Sequence, residues 1–172
     1  MPVGDREARG ERHQVVKTSD LGSGSESSNE EGSVATKTDF TDQEWESLQK
    51  GVTGAGLLVS LSDRGFFDTF KEAGSLAKHL AQAKQGSSSG LVRELAEMHG
   101  TGFGLATSPE TVERETLEAL RSAKAALESK APGELDSYRQ FVVEIARSVG
   151  EAAGGGETAE SAAIEKVESA LR

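Results

Sequence analysis

Six carboxylates flank two turns of this 172-residue chain. Asp63, Asp68 and Glu72 sit in "SDRGFFDTFKE", and Glu151, Glu157 and Glu160 sit in "VGEAAGGGETAES". A hard divalent cation collects about six to eight oxygens from carboxylates, backbone carbonyls and water. The second turn offers carboxylates beside three consecutive glycines, whose carbonyls no side chain screens. Ca²⁺, Mg²⁺ or Mn²⁺ is the chemistry these residue types fit. Glu160 stands four residues before Ile164 and seven before Val167. At helical spacing it shares their apolar stripe. A carboxylate turned towards a core needs a metal, a cluster of N–H groups or a basic side chain as partner.

The same residues have a plainer use. Acids in the first turn of a helix are favoured by exposed N–H groups and by the helix dipole. Asp63 suits the cap of the helix that follows it. Glycine lets a chain leave a helix through positive φ. A simple helix connection is therefore the first reading of each turn, and a weak cation site the second. The calcium-loop spacing D-x-[DN]-x-[DN]-G-x₅-E is absent. A phosphate loop needs Lys and Ser/Thr at fixed offsets from its glycines. "EAAGGGETAES" has no Lys and three glutamates.

Other chemistries find less support. Cysteine is absent, which excludes disulfides, thiolate ligands and cysteine nucleophiles. His13 lies in a polar N-terminal stretch. His79 adjoins Leu80 at the boundary of an apolar face, and His99 precedes Gly100, where imidazole suits the carbonyls ending a helix. Neither HExxH nor G-x-S-x-G occurs. "GTGFG" lacks dinucleotide-loop spacing and a preceding strand, so it reads as a loop. No matched acid–base pair emerges, and no enzymatic activity is expected. The net charge of −10, with basic residues scattered among acids, argues against nucleic acid and anionic membranes as partners. No apolar run is long enough to span a bilayer. "MPVGDREARGERHQ" has no apolar signal-peptide core, which leaves a cytoplasmic protein as the expectation.

These residues must be positioned by helices. Residues 1–38 are charged and Ser/Gly-rich, carry no aromatic residue, and read as a disordered arm. Its serine cluster, Ser23 to Ser28, reads as part of a solvated tail. The folded domain is expected over 39–172. Thr41 and Glu44 have capping-box spacing, and Phe40 and Trp45 that of a hydrophobic staple. "VTGAGLLVSLS" (52–62) is apolar nearly all round, as suits a central buried helix. Phe66, Phe70, Ala73, Ala77 and Leu80 form a second apolar stripe, followed by the polar loop "KQGSSSG" and a short helix at "LVRELAEMH". Ser108 and Pro109 open a long helix with Val112, Leu117, Leu120, Ala123 and Leu127 inward. Tyr138, Phe141, Val142, Ile145 and Val149 mark the next, and Ile164, Val167 and Leu171 the last. No strand alternation appears. The expectation is an all-α compact bundle of six or seven helices.

Two stretches repeat one pattern: "GLLVSLSDRGFFDTFKEAGSLAKHL" and "FVVEIARSVGEAAGGGETAESAAIEKVESAL". Each is an apolar helix, a glycine-containing acidic turn and an amphipathic helix, which predicts two pseudo-symmetric helix–turn–helix copies around a central apolar pair. With "ARSVGEAAGGGETAES", "LLVSLSDRGFFDTFKE" and the opening "FTDQEW", residues 39–172 resemble the TerB-like family, named for tellurite resistance. The resemblance implies an all-helical, non-enzymatic interaction module with protein partners in a stress or tellurite response. It also implies a divalent cation held by turn acids, with Asp63 in the first copy and Glu160 in the second. Two departures are visible: glycines replace an expected Asp–Gly pair in the second turn, and Arg64 stands beside Asp63.

Overall fold

The first long helix is opened by its own side chains. The Thr41 N–H donates to the Glu44 carboxylate at 2.7 Å, and the Glu44 N–H donates back to Thr41 Oγ1 at 3.3 Å. Phe40 and Trp45, on either side of the cap, hold their rings 6.2 Å apart. Both signatures read from the sequence are thus in place, and they fix where the chain enters α1, Asp42–Ser62. Just upstream, a 3₁₀ turn (Lys37–Asp39) is tied across the molecule by the Lys37 N–H, which donates to Glu94 at 2.8 Å.

The computed structural model describes residues 35–62, 69–97, 103, 108–153 and 158–172, with backbone alone at 69–73. The remaining helices are α2 (Thr69–Gly86), α3 (Gly90–Leu95), α4 (Pro109–Lys130), α5 (Leu135–Ala153) and α6 (Thr158–Ala170). A 3₁₀ turn at Pro132–Glu134 joins α4 to α5. The described residues form a packed bundle of six α-helices without a strand, and no helix among them is long and apolar enough to cross a membrane. Ser108 caps α4 by accepting from the Thr111 N–H, with Pro109 in the first helical position. Ser89 does the same for α3, accepting from Val92 at 3.0 Å.

Helix α1 is the centre. It spans both the capped segment and the apolar stretch from Val52, and buries residues on nearly every side, among them Leu48, Val52, Ala55 and Val59. Close approach of its neighbours depends on glycine. A Cβ on Gly51 would collide with the Tyr138 hydroxyl and lie 2.9 Å from Leu120 Cδ2. A Cβ on Gly54 would collide with Thr116 Oγ1 and lie 3.1 Å from the Phe103 ring. The space left by Gly51 admits the Tyr138 hydroxyl, which donates to the Leu48 carbonyl at 3.0 Å. Burial pushes the Tyr138 phenol far above its ordinary range, and its work is structural.

Contacts give the direction of each helix. Gly51 meets Leu120, Gly54 meets Thr116, and Glu44 pairs with Lys130, so α4 runs antiparallel to α1. Leu48 meets Tyr138, Gly56 meets Ile145 and Val149, and Val59 meets Gly150, so α5 runs parallel to α1. Helix α2 packs chiefly on α5, and α6 lies on both α1 and α5. The α4, α5 and α6 stripes fall where their spacing placed them, with Leu117 and Ile164 only partly buried. Thr116, beside Leu117, is fully buried at the Gly54 crossing. The α2 stripe needs correction at one position. Leu80 faces the core as expected, but Ala77 is exposed, and Leu76 and Ala83 share the inward face with Leu80. Leu76 offers far more apolar area than Ala77, so it takes the inward place. Phe66 lies outside the described residues, as do the side chains of Phe70 and Ala73.

Gly54→Ala is expected to destabilise the protein by about 1–3 kcal/mol, because neither α4 nor the Phe103 ring has room to yield. Gly74→Ala, in mid-α2 with nothing within 4 Å of a new Cβ, is expected to stabilise by up to about 1 kcal/mol. Urea titration of both variants reads the contrast, and equal effects would dissolve it. The Glu44 carboxylate, bonded to Lys130 at 2.5 Å and to the Thr41 N–H, is held down at about 2. A group with a depressed folded value contributes stability above its unfolded value near 4.5, and that contribution fades as pH falls towards 2. Glu44→Gln should therefore flatten acid unfolding within this window and leave the neutral-to-basic profile unaltered in shape.

Candidate functional site

Parallel packing of α1 and α5 brings two C-termini, Ser62 and Ala153, to the same end of the bundle. The last four carbonyls of a helix lack intrahelical partners. The negative ends of both dipoles therefore face one region. The Ser62 hydroxyl turns back to the Val59 carbonyl at 2.7 Å and covers part of this set.

Helix α6 begins at that end and delivers Glu160 in its first turn. Glu160 is 2% exposed, and its Oε1 atom is buried with no hydrogen-bond partner. Its other oxygen lies 3.8 Å from the point a Cβ on Gly150 would occupy, and the same point is 3.4 Å from Val59 and 3.7 Å from Ile164. The absence of a side chain at Gly150 lets the carboxylate reach the α5 backbone between apolar neighbours. The basic residues of α5 and α6 are engaged elsewhere. Arg147 pairs with Glu168 at 2.7 Å, Lys166 with Glu113 at 2.6 Å, and Arg139 donates to Asp136 and the Leu171 carbonyl. The α6 dipole attracts Glu160, yet a buried carboxylate oxygen without a bond carries a desolvation cost.

The inward placement of Glu160 read from its helical spacing is what the structure has. Glu151 occupies the last turn of α5 and is exposed. Glu72 lies in the first turns of α2, with its side chain outside the described residues. Asp63, Asp68 and Glu157 also lie outside them. Among the described residues, no group of three or more His, Cys, Asp or Glu stands close enough to hold a metal. What the described residues place there is one buried carboxylate, Glu160, against Gly150, Val59 and Ile164; as an oxygen ligand it would suit a hard cation better than a soft one.

Gly150 was not singled out by sequence reasoning, although a signal existed. It lies inside α5, three residues before the helix ends. A glycine there costs about 1 kcal/mol against Ala and marks a close approach. Two further buried side-chain atoms lack partners: Thr116 Oγ1 at the α1–α4 crossing and His79 Nδ1 on α2. His79 is half-buried beside Leu80, as a boundary residue should be, but it lines a cleft that periodicity did not reveal. Compared with known protein families, curated proteins and solved structures, the chain matches none.

Proposed function

We propose that this protein is a non-enzymatic helical binding module that takes a divalent cation, with Glu160 as its innermost ligand. The observation that carries the reading is the buried Glu160 carboxylate, with one oxygen unbonded and the other against Gly150 near the end of α5. A cation there would satisfy the carboxylate. Asp63, Asp68, Glu72, Glu151 and Glu157 are the further acids that the two turns supply by sequence, with Ca²⁺, Mg²⁺ or Mn²⁺ as the fitting ions.

The two-copy pattern on which the TerB-like resemblance rests draws support from the side-by-side packing of the two apolar helices; α2 lies mainly on α5, while α6 lies on both α1 and α5. On that reading the module works in the cytoplasm, in a stress or tellurite response. Cation occupancy would set the helix ends that protein partners contact.

The test is calorimetric titration of the chelator-stripped chain with Ca²⁺, Mg²⁺ and Mn²⁺, with thermal unfolding alongside. At about 100 times Kd a cation bound only to the folded state adds roughly 2.7 kcal/mol. For a chain of this size that is a rise in Tm of about 5–10 °C. Glu160→Gln, which keeps shape and removes charge, should abolish the heat and the shift while folding normally without metal. A wild-type chain that shows neither, or a Glu160→Gln variant that binds as well, overturns the proposal.

A further inference from the structure

A separate feature lies between α2 and α5. The Ser75 hydroxyl donates to the Ser148 carbonyl at 3.0 Å and shares a 2.6 Å bond with the Ser148 hydroxyl. One turn along each helix from this clasp, in opposite directions, come His79 on α2 and Glu144 on α5. Both line an open cleft of about 440 Å³, which the Ser87–Ser88 turn and Val92 of α3 also line. The volume is in the range of sites for small molecules, about 300–1,000 Å³.

Chemistry divides the cleft into a base and a rim. Phe141 and Val92, 5% and 3% exposed, form an apolar base. Above it stand hydroxyls, the Gln82 and Gln140 amides, the His79 imidazole and the Glu144 carboxylate. Among the described residues that line it there is neither Lys nor Arg. The Arg93 guanidinium nearby bonds the Ser87 carbonyl at 2.6 Å and so fastens the turn. A phosphate or carboxylate ligand would find no counter-charge here. Glu144 makes no ion pair among the described residues; one of its oxygens accepts from the Gln140 amide at 2.8 Å. His79 Nδ1 is buried and presents no acceptor to the cleft. The rim thus holds an exposed carboxylate free of an ion pair among the described residues, over an apolar floor. It lacks an N–H-rich cation with an apolar stem.

We propose that the α2–α5 cleft binds a small organic ammonium ion of the diamine or polyamine class, with an ammonium group on Glu144 and the methylene chain on Phe141 and Val92. The site is independent of Glu160 and of any metal. The overall charge of −10 draws such ligands to the protein from all sides, so the test must separate the cleft from general attraction.

The experiment is NMR titration of the full, isotope-labelled chain with putrescine and spermidine, in chelator and at about 150 mM salt to screen surface charge. Saturable shifts are expected at the Gln82 and Gln140 side-chain amides and the His79 ring. Glu144→Gln should weaken binding by about tenfold or more, the loss of one charge-assisted bond. Ser137→Trp, which fills the cleft from its rim, should weaken it similarly while leaving the spectrum folded. Glu118→Gln, an exposed α4 acid, and Glu160→Gln should leave it unchanged. The proposal is overturned by shifts that never saturate, by equal weakening in Glu118→Gln, or by glucose or inorganic phosphate moving the same resonances at lower concentration than the amines.

Discussion

Everything in this bundle depends on how closely two helices can approach the glycine face of α1. Gly51 and Gly54 sit at the crossings with α5 and α4, and any side chain at either would meet Tyr138, Leu120, Thr116 or Phe103. Because α4 sits deep at that face, Lys50 reaches Glu115 at 2.6 Å while its ammonium rests 4.8 Å above the Phe103 ring. Because α5 sits deep, the Tyr138 hydroxyl finds a backbone carbonyl of α1 in a position sealed from water. A buried hydroxyl without such a partner would cost about 1–3 kcal/mol. Packing and polar satisfaction therefore rest on the same missing methyl groups.

Parallel packing of the central pair has an electrostatic consequence. Neighbouring antiparallel helices cancel their dipoles, whereas parallel ones add them. The carbonyl ends at Ser62 and Ala153 lie at one end, and the N-termini of α4 and α6 fall at the same end, beside Ser62, with Pro109 and Ala159 lining one shared depression. Two amide ends there offset the two carbonyl ends, so the helix dipoles leave little net field. The Glu160 carboxylate stands among them with one oxygen unbonded.

Much of this was legible in the chain. Local rules fixed the α1 and α4 starts, because caps and staples act over three or four residues and need no tertiary partner. The inward face of α5 followed from periodicity, since long apolar side chains dominate that helix, and Ile164, Val167 and Leu171 were enough to set the face of α6, with Glu160 on it. On α2 periodicity placed Leu80 and misplaced Ala77, whose small side chain carries little area with which to fix a face. The role of Gly51, Gly54 and Gly150 was hidden for another reason. A glycine in a helix announces a close neighbour without saying which one, and the neighbours lie 49 to 87 residues away at Gly51 and Gly54. The α2–α5 cleft was invisible for a similar cause. It exists where two helices diverge from a serine clasp, and divergence leaves no mark on composition.

The cap of α1 also bears on how the chain is made. Glu44 closes the first turn of the central helix, and its cationic partner Lys130 lies 86 residues later. Tyr138, which seals the middle of α1, is 90 residues from its acceptor. During synthesis α1 leaves the ribosome with its second half, from Val52, apolar on nearly every side and its principal partners not yet made. Helix α2 gives it little shelter, because α2 belongs mainly against α5. The nascent chain therefore carries its stickiest segment uncovered until α4 and α5 emerge, and folding waits on those late contacts. Binding of the emerging α1 by a chaperone is the ordinary cellular answer to such an interval. A bundle whose central helix precedes its partners α4 and α5 in the chain is committed to folding late.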